Sequence, residues 1–233
     1  MTNGKRYSLE GCKRSYNKAY AGGWDFHRHQ KADRAYARVL VEKCNLPQGT
    51  RLLDVGCGTG WYAHLFAEQG LVSTGVDISE AGIETAKKLH GESCDFMVAD
   101  AINLPLVDAF DVVFCSDLSL YNVPDLSEVR FIGHKLLSYL VEGGTLIFAY
   151  GSNLSQTYSR GMTMHTIQDY EQYWRQIPGH HFLGSYATHA QLCLLLGKWG
   201  LSHWVTRVVS LATQIHGRSV RTIYIMRRDS SIS

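Results

Sequence analysis

The 233-residue chain is 45% hydrophobic and 19% charged, a composition typical of a globular protein that buries one sizeable core. Its formal net charge of +2 is too small to indicate a nucleic-acid or membrane surface, and no run reaches the ~18 apolar residues of a membrane-spanning helix. The polar N-terminus leads into no apolar stretch, and the cysteines form no C-x-x-C pair. We therefore expect a cytoplasmic protein with reduced thiols, no bound metal, and a single domain over residues 1–233.

The first two thirds of the chain predict alternating helices and strands. Residues 1–28 are rich in aromatic side chains without clear periodicity, and we expect them to form an N-terminal cap segment. The patterns that follow predict, in chain order, helix 29–45, strand 51–55, helix 62–69, strand 72–76, helix 80–89, strand 96–100, strand 109–115, helix 126–140 and strand 145–150. Strands that alternate with helices through short connections indicate a parallel sheet built from βαβ units.

The regular alternation stops after the last of these strands. Residues 151–186 are polar and aromatic, and we expect them to form a lid insertion over the active face, with a short helix at 166–175. A helix is predicted over 190–198, and two β-rich runs, 203–211 and 220–226, predict an antiparallel hairpin. The sequence therefore predicts an α/β fold with a seven-stranded, mostly parallel sheet that ends in this C-terminal hairpin and has helices on both faces.

A glycine-rich turn follows the first predicted strand and reads Asp54-Val55-Gly56-Cys57-Gly58-Thr59-Gly60-Trp61. Glycine lacks a Cβ atom, so such a turn can lie directly against a ligand at the carboxyl end of a strand. Asp77 ends the next strand, about 20 residues after the first glycine, where a carboxylate can accept hydrogen bonds from both ribose hydroxyls. The two features together predict a cofactor that contains a nucleoside.

The glycine spacing separates two classes of cofactor. The nicotinamide fingerprint places a third glycine five residues after the first, and Trp61 occupies that position here. With its G-x-G-x-G spacing the chain resembles the class I S-adenosylmethionine-dependent methyltransferases, over roughly residues 29–228. The segments that carry the resemblance are the turn Asp54–Gly60, the strand end Asp77, the loop Ala99-Asp100-Ala101, the strand Phe110–Val113 and the turn Glu142–Gly144.

The resemblance implies a Rossmann-like sheet, S-adenosylmethionine as cofactor, and S-adenosylhomocysteine as product. The residues that it implies for cofactor binding are Tyr20, Asp54, Gly56, Cys57, Gly58, Gly60, Asp77, Ile78, Asp100, Ala101 and Ser116. Asp77 would bind the ribose, Ile78 would pack on the adenine, and Asp100 would accept from the adenine amino group. Asp54 would hold the methionine part, or could instead bind the amides of its own loop. Trp61 could pack on the methionine end or belong to the core.

A sulfonium methyl group is already activated, so the enzyme has to align the acceptor, exclude water and, where needed, remove a proton. The catalytic candidates are Asp117, Tyr121 and His165, and the substrate-binding candidates are Trp24, Tyr121, Tyr158 and Tyr186.

An aromatic lid without an appended domain favours a small-molecule acceptor, methylated at O, N or S, with no nucleic-acid partner and no membrane. The alternatives are an RNA or protein acceptor and a non-catalytic cofactor-binding module. Either a monomer or a homodimer is compatible with the sequence.

Overall fold

The computed structural model describes residues 9–23, 30–116, 126–153, 157–159, 162–164, 167–186 and 219–230. The predicted helix 190–198 and the predicted strand 203–211 lie outside these residues. In the described part of the chain, no helix is both long enough and apolar enough to cross a membrane.

Six helices and nine strands form the described structure. The helices are α1 (Leu9–Ala21), α2 (Gln30–Cys44), α3 (Trp61–Ala67), α4 (Glu80–His90), α5 (Leu126–Leu137) and α6 (Ile167–Trp174). The strands are β1 (Arg51–Val55), β2 (Val72–Asp77), β3 (Asp95–Val98), β4 (Phe110–Cys115), β5 (Leu140–Asn153), β6 (Thr157–Ser159), β7 (Met162–Met164), β8 (His180–Tyr186) and β9 (Ser219–Arg228).

Seven strands form one sheet in the order β3-β2-β1-β4-β5-β9-β8, and β6 pairs with β7 in a separate two-stranded sheet. The strands from β3 to β5 are parallel, whereas β9 runs antiparallel to both of its neighbours. The predicted seven-stranded, mostly parallel sheet is therefore confirmed. Its strand order reverses between β1 and β4, which is where ligands bind in Rossmann-like sheets.

The antiparallel end of the sheet differs from the prediction in its pairing. β9 pairs with β5 on one side and with β8 on the other, so both of its edges are filled. The sequence predicted 203–211 as the partner of the last strand and assigned 180–186 to the lid. Phe182 of β8 packs against the main core, which explains why this stretch joins the sheet. Whether the rest of 151–186 acts as a lid stays a prediction.

Alternating residues of the central strands point to opposite faces of the sheet. Leu53 and Val113 pack into a core beneath α5 and α6, while Leu52 and Val112 pack into a second core beneath α2 and α3. Both faces are thus covered, which is why β1 and β4 are nearly continuous apolar runs. The glycine turn and the strand ends therefore rest on a rigid platform.

Two histidine rings stack where α3 meets α4. The ring centroids of His64 and His90 lie 4.3 Å apart, with an angle of 17° between the planes. Burial, together with the charge of Arg34, lowers the pKa of His64. Burial, together with the charge of His64, lowers the pKa of His90 from 6.5 to about 4. Glu68 also faces the pair, with Oε1 at 3.2 Å from His64 Nε2.

This pair predicts a specific loss of stability in acid. Because the pKa of His90 is lower in the folded state, the unfolded chain binds more protons between about pH 6.5 and pH 4. The stability that neutral His90 contributes is present above that range and is lost as the pH falls through it. We expect His90→Gln to reduce the drop in melting temperature between pH 7 and pH 5, measured by circular dichroism. Lys88→Gln, an exposed position in the same helix, is the control and should keep the wild-type pH dependence; a parallel curve for His90→Gln would contradict the prediction.

Candidate functional site

The residues predicted to bind a cofactor gather at the carboxyl ends of four adjacent strands. The glycine turn follows β1, Asp77 ends β2, Asp100 follows β3, and Ser116 follows β4. The strand order β3-β2-β1-β4 places these four chain segments side by side. These segments are far apart in the sequence, and the pairing of the strands brings them to one edge of the sheet.

The glycine turn is anchored to β2 through its backbone. The amides of Gly56 and Cys57 both donate to the carbonyl oxygen of Val76, at 2.8 and 3.0 Å. The φ angles are 70° at Gly56, 56° at Gly58 and 81° at Gly60. These values lie in the left-handed region of backbone conformation, which residues other than glycine rarely adopt. The turn therefore requires glycine for its shape.

Asp77 joins the end of β2 to the glycine turn. Its carboxylate accepts hydrogen bonds from the amides of Gly58, at 2.9 Å, and Ser79, at 2.8 Å. The side chain is buried, and this burial raises the pKa of the carboxyl group, opposed by hydrogen bonds from the backbone of Ser79, Gly58 and Ile78. A carboxylate offers about four lone-pair positions, so these amides do not fill it. Asp77 therefore fixes the turn and keeps some capacity to accept a further hydrogen bond.

Asp54 is fully buried and binds a backbone amide of the protein. Its Oδ2 atom accepts a hydrogen bond from the amide of Ala63 in the first turn of α3, at 3.0 Å. Burial raises the pKa of Asp54 to about 7, opposed by this hydrogen bond and increased by the charge of Asp77. The structure thus shows Asp54 bound to an amide of the helix that follows its loop, and its role toward the methionine part stays a prediction.

Three residues of the turn, Cys57, Gly60 and Trp61, are packed against other parts of the protein. A Cβ atom on Gly60 would lie 2.6 Å from a ring carbon of Phe96, so the side chain is excluded by the core. The Cys57 thiol is buried, and its burial raises its pKa well above the ordinary value. The Trp61 ring is buried in the core beneath α2 and α3, and its Nε1 atom donates to Asp33 Oδ2 at 3.1 Å. For Trp61 the structure therefore supports a core position.

Helix α1 covers the glycine turn, although the sequence showed no periodicity there. A Cβ atom on Gly58 would lie 2.5 Å from the Tyr20 hydroxyl oxygen, which places this side chain directly over the turn. Burial, followed by the charge of Asp77, raises the pKa of Tyr20 above its ordinary value. The predicted involvement of Tyr20 at the site agrees with this position.

Asn17 and Lys13 attach α1 to the first turn of α4, and the sequence reading missed both. Asn17 Oδ1 accepts from the Ser79 hydroxyl at 2.7 Å and from the Ala81 amide at 3.2 Å, while its Nδ2 atom donates to Glu80 at 2.9 Å. Lys13 forms an ion pair with Glu80 at 2.5 Å. Lys13 and Asn17 are four residues apart on one helix face, and this spacing is the signal that could have found them.

The loop after β3 is held by its own side chains. Asp100 Oδ1 accepts from the Ile102 amide at 3.2 Å, and Oδ2 accepts from the Asn103 side chain at 2.5 Å. Ala101 is buried, and Ile78 and Ser116, at the ends of β2 and β4, are partly buried. The turn that Asp100 forms presents the backbone beside Asp100 at the site edge.

The predicted acceptor half lies largely outside the described residues. This applies to Trp24, Asp117, Tyr121 and His165, whose roles stay predictions. Tyr158 belongs to β6 and Tyr186 is the last residue of β8, and their roles also stay predictions. Among the residues that the structure describes, no group of three or more His, Cys, Asp or Glu side chains is placed to hold a metal ion.

Comparison with known proteins finds a family model and two relatives that are named as methyltransferases. Residues 52–144 match a family model described as a methyltransferase domain. The malonyl-acyl-carrier protein O-methyltransferase of Erwinia pyrifoliae is 32% identical over 130 residues, which are 51% of this chain and 48% of that relative. The ubiquinone biosynthesis O-methyltransferase of Coxiella burnetii is 29% identical over 192 residues, which are 80% of this chain and 75% of that relative. The chain thus spans about half of the first relative and three quarters of the second.

Solved structures share the fold over nearly the whole chain. A SAM-dependent methyltransferase from Thiobacillus denitrificans, solved with S-adenosylhomocysteine, has a TM-score of 0.60 at 17% identity, covering 88% of this chain and 99% of that one. The cyclase SpnF has a TM-score of 0.69 at 22% identity, covering 96% of this chain and 97% of that one. At these identities the likeness establishes the fold alone.

Proposed function

We propose that this chain, whose residues 52–144 match a methyltransferase domain, is a class I S-adenosylmethionine-dependent methyltransferase that transfers the methyl group of this cofactor to an oxygen atom of a small-molecule acceptor. The observation that carries the proposal is the buried Asp77 carboxylate, bound to the Gly58 amide at the carboxyl end of β2. Oxygen is favoured because both curated relatives described above are named O-methyltransferases.

The residues present fit a nucleoside cofactor. Asp77 accepts hydrogen bonds from backbone amides of its own segment, and the remaining acceptor capacity of its carboxylate is proposed to serve the ribose hydroxyls. Gly56 and Gly58 carry no side chain, so their backbone can lie close to the methionine part. Asp100 would accept from the adenine amino group, with the Ala101 backbone beside it.

The cofactor, when bound, supplies a sulfonium methyl group that is already activated for in-line displacement. The chain has to hold the acceptor oxygen in line, exclude water and take up the proton that the acceptor loses. Tyr20, on α1, covers the glycine turn and would exclude water from that side. Asp117, Tyr121 and His165 are the proposed groups for orienting the acceptor and taking its proton, and Trp24, Tyr158 and Tyr186 are proposed to line the acceptor site.

The proposal is tested by transfer of a labelled methyl group from S-adenosylmethionine to a panel of small phenols, carboxylic acids, amines and thiols. We expect label in an oxygen-containing acceptor and S-adenosylhomocysteine as the second product. Transfer only to RNA or to protein would contradict the small-molecule acceptor. The same fold is found in a protein named as a cyclase, so binding of the cofactor without any methyl transfer would favour a non-transferring domain.

Loss of the hydrogen bonds that Asn17 forms between α1 and α4 is expected to weaken cofactor binding. Asn17→Ala removes three hydrogen bonds that tie α1 to the start of α4 and leaves the Ala81 amide without this acceptor. We expect roughly fivefold weaker binding of S-adenosylhomocysteine, about 1 kcal/mol, measured by isothermal titration calorimetry. Arg14→Ala, on an exposed side of the same helix, is the control and should bind as the wild type does. Equal affinity of Asn17→Ala and wild type would show that the Asn17 hydrogen bonds do not contribute to cofactor binding.

A further inference from the structure

Tyr139 lies between α5 and β5, and its side chain crosses to the loop that follows β3. The side chain is buried, with 2% of its surface exposed, in the core beneath α5 and α6. Its hydroxyl donates to the carbonyl oxygen of Ala101 at 2.9 Å and accepts from the amide of Leu104 at 3.3 Å. One hydroxyl group therefore bridges two backbone groups of the same loop.

The backbone of Tyr139 holds the other end of this segment. Its carbonyl oxygen accepts from the amides of Ala109 and Phe110, both at 3.0 Å. The connection between β3 and β4 is thus fastened to one residue at both of its ends. Side-chain packing alone does not require this arrangement, since a phenylalanine ring would fill the same apolar space.

The bridged loop is the one proposed to contact adenine. Within this loop, the Asp100 carboxylate accepts hydrogen bonds from the amide of Ile102 and from the side chain of Asn103. Burial, and to a smaller extent the charge of Asp100, raises the pKa of Tyr139, whereas the hydrogen bond from Leu104 opposes both. The hydrogen bonds of Asp100 and of the Tyr139 hydroxyl thus act on the same short loop, residues 100–104.

We propose that Tyr139 is a positioning residue for adenine recognition. Its hydroxyl holds the backbone of Ala101 and Leu104 in the conformation in which Asp100 meets the amino group of the base. Tyr139 acts through this loop and does not itself touch the cofactor. The inference rests on the proposed function, because it assumes that the loop after β3 binds the adenine of S-adenosylmethionine.

The hydroxyl matters because the groups that it pairs are buried. Tyr139→Phe keeps the ring and leaves the Ala101 carbonyl and the Leu104 amide without this partner, so the loop has to rearrange to satisfy them. We expect roughly tenfold weaker binding of S-adenosylhomocysteine, which corresponds to about 1.4 kcal/mol.

The test is calorimetric titration of wild type and Tyr139→Phe with S-adenosylhomocysteine and with S-inosylhomocysteine, whose base lacks the amino group. Wild type should prefer S-adenosylhomocysteine, and Tyr139→Phe should lose most of that preference. Tyr36→Phe, an equally buried tyrosine in the core beneath α2 and α3, is the control and should keep the preference. Asp100→Ala should lose the preference too, and adding Tyr139→Phe to it should have little further effect.

The outcomes separate the two proposals. If wild type fails to bind S-adenosylhomocysteine, the proposed function and this inference both fail. If wild type binds and Tyr139→Phe keeps both its affinity and its preference, only the inference fails. If Tyr139→Phe weakens both ligands equally, the hydroxyl has a general structural role and the inference is again wrong.

Discussion

Replacing Asp77 with alanine is expected to weaken binding of S-adenosylhomocysteine by roughly 100-fold or more, about 3 kcal/mol. The variant removes the acceptor proposed for the two ribose hydroxyls in a site from which water is largely excluded. It also leaves the amides of Gly58 and Ser79 without their acceptor, so the glycine turn loses one of its ties to the end of β2. Both effects act on affinity in the same direction.

Calorimetric titration measures this loss, with circular dichroism at the same temperature to verify that the variant is folded. Asp77→Asn keeps the size of the side chain and one acceptor oxygen, so we expect an intermediate affinity. Asp111→Ala is the matched control, because Asp111 lies at the opposite end of the sheet in an exposed ion pair with Arg51, at 2.9 Å. Wild-type affinity in Asp77→Ala would show that the ribose assignment is wrong.

Gly60→Ala is expected to lower the free energy of unfolding by about 2–5 kcal/mol. The new Cβ atom would meet the Phe96 ring at 2.6 and 2.7 Å and the Ala86 side chain at 3.0 Å, in a core that has no room to yield. The φ angle of 81° adds backbone strain for any residue other than glycine. The loss arises from packing of α4 and β3 against the turn and does not involve the cofactor.

The chain contains a control that separates the clash from the strain. Gly49 has the same φ angle of 81°, but a Cβ atom there would meet nothing within 4 Å. Gly49→Ala should therefore cost only the strain, about 1–2 kcal/mol, when both variants are unfolded in urea. Adding Phe96→Leu to Gly60→Ala should recover part of the loss. Equal destabilisation at the two glycines would contradict the packing argument.

The cofactor half of the site could be predicted because its signals are local. A buried strand, a glycine turn and a helix follow one another directly from Arg51 onward, and Asp77 ends the next strand. Each of these elements depends on neighbours in sequence, so pattern and spacing are sufficient to place them. The resemblance to a known family then narrowed a nucleoside cofactor to S-adenosylmethionine.

Features that depend on distant contacts could not be read in the same way. Helix α1 has 13 residues of which only Cys12 is fully buried, and Asn17 and Lys13 bind it to α4, more than 60 residues away in the sequence. The position of β8 was missed because a short edge strand is determined by the distant strand with which it pairs, here β9. The role of Asp54 was left open because the sequence does not reveal that Ala63 presents its amide to it.

A crystal structure with S-adenosylhomocysteine bound tests the central claim most directly. We expect both ribose hydroxyls within hydrogen-bonding distance of the Asp77 carboxylate, the adenine beside Asp100 and Ala101, and the sulfur facing the end of β4. Such a structure would also reveal which side chains surround the position of the methyl group. A ligand bound away from the carboxyl ends of β1 and β2, or a ribose without contact to Asp77, would contradict the account.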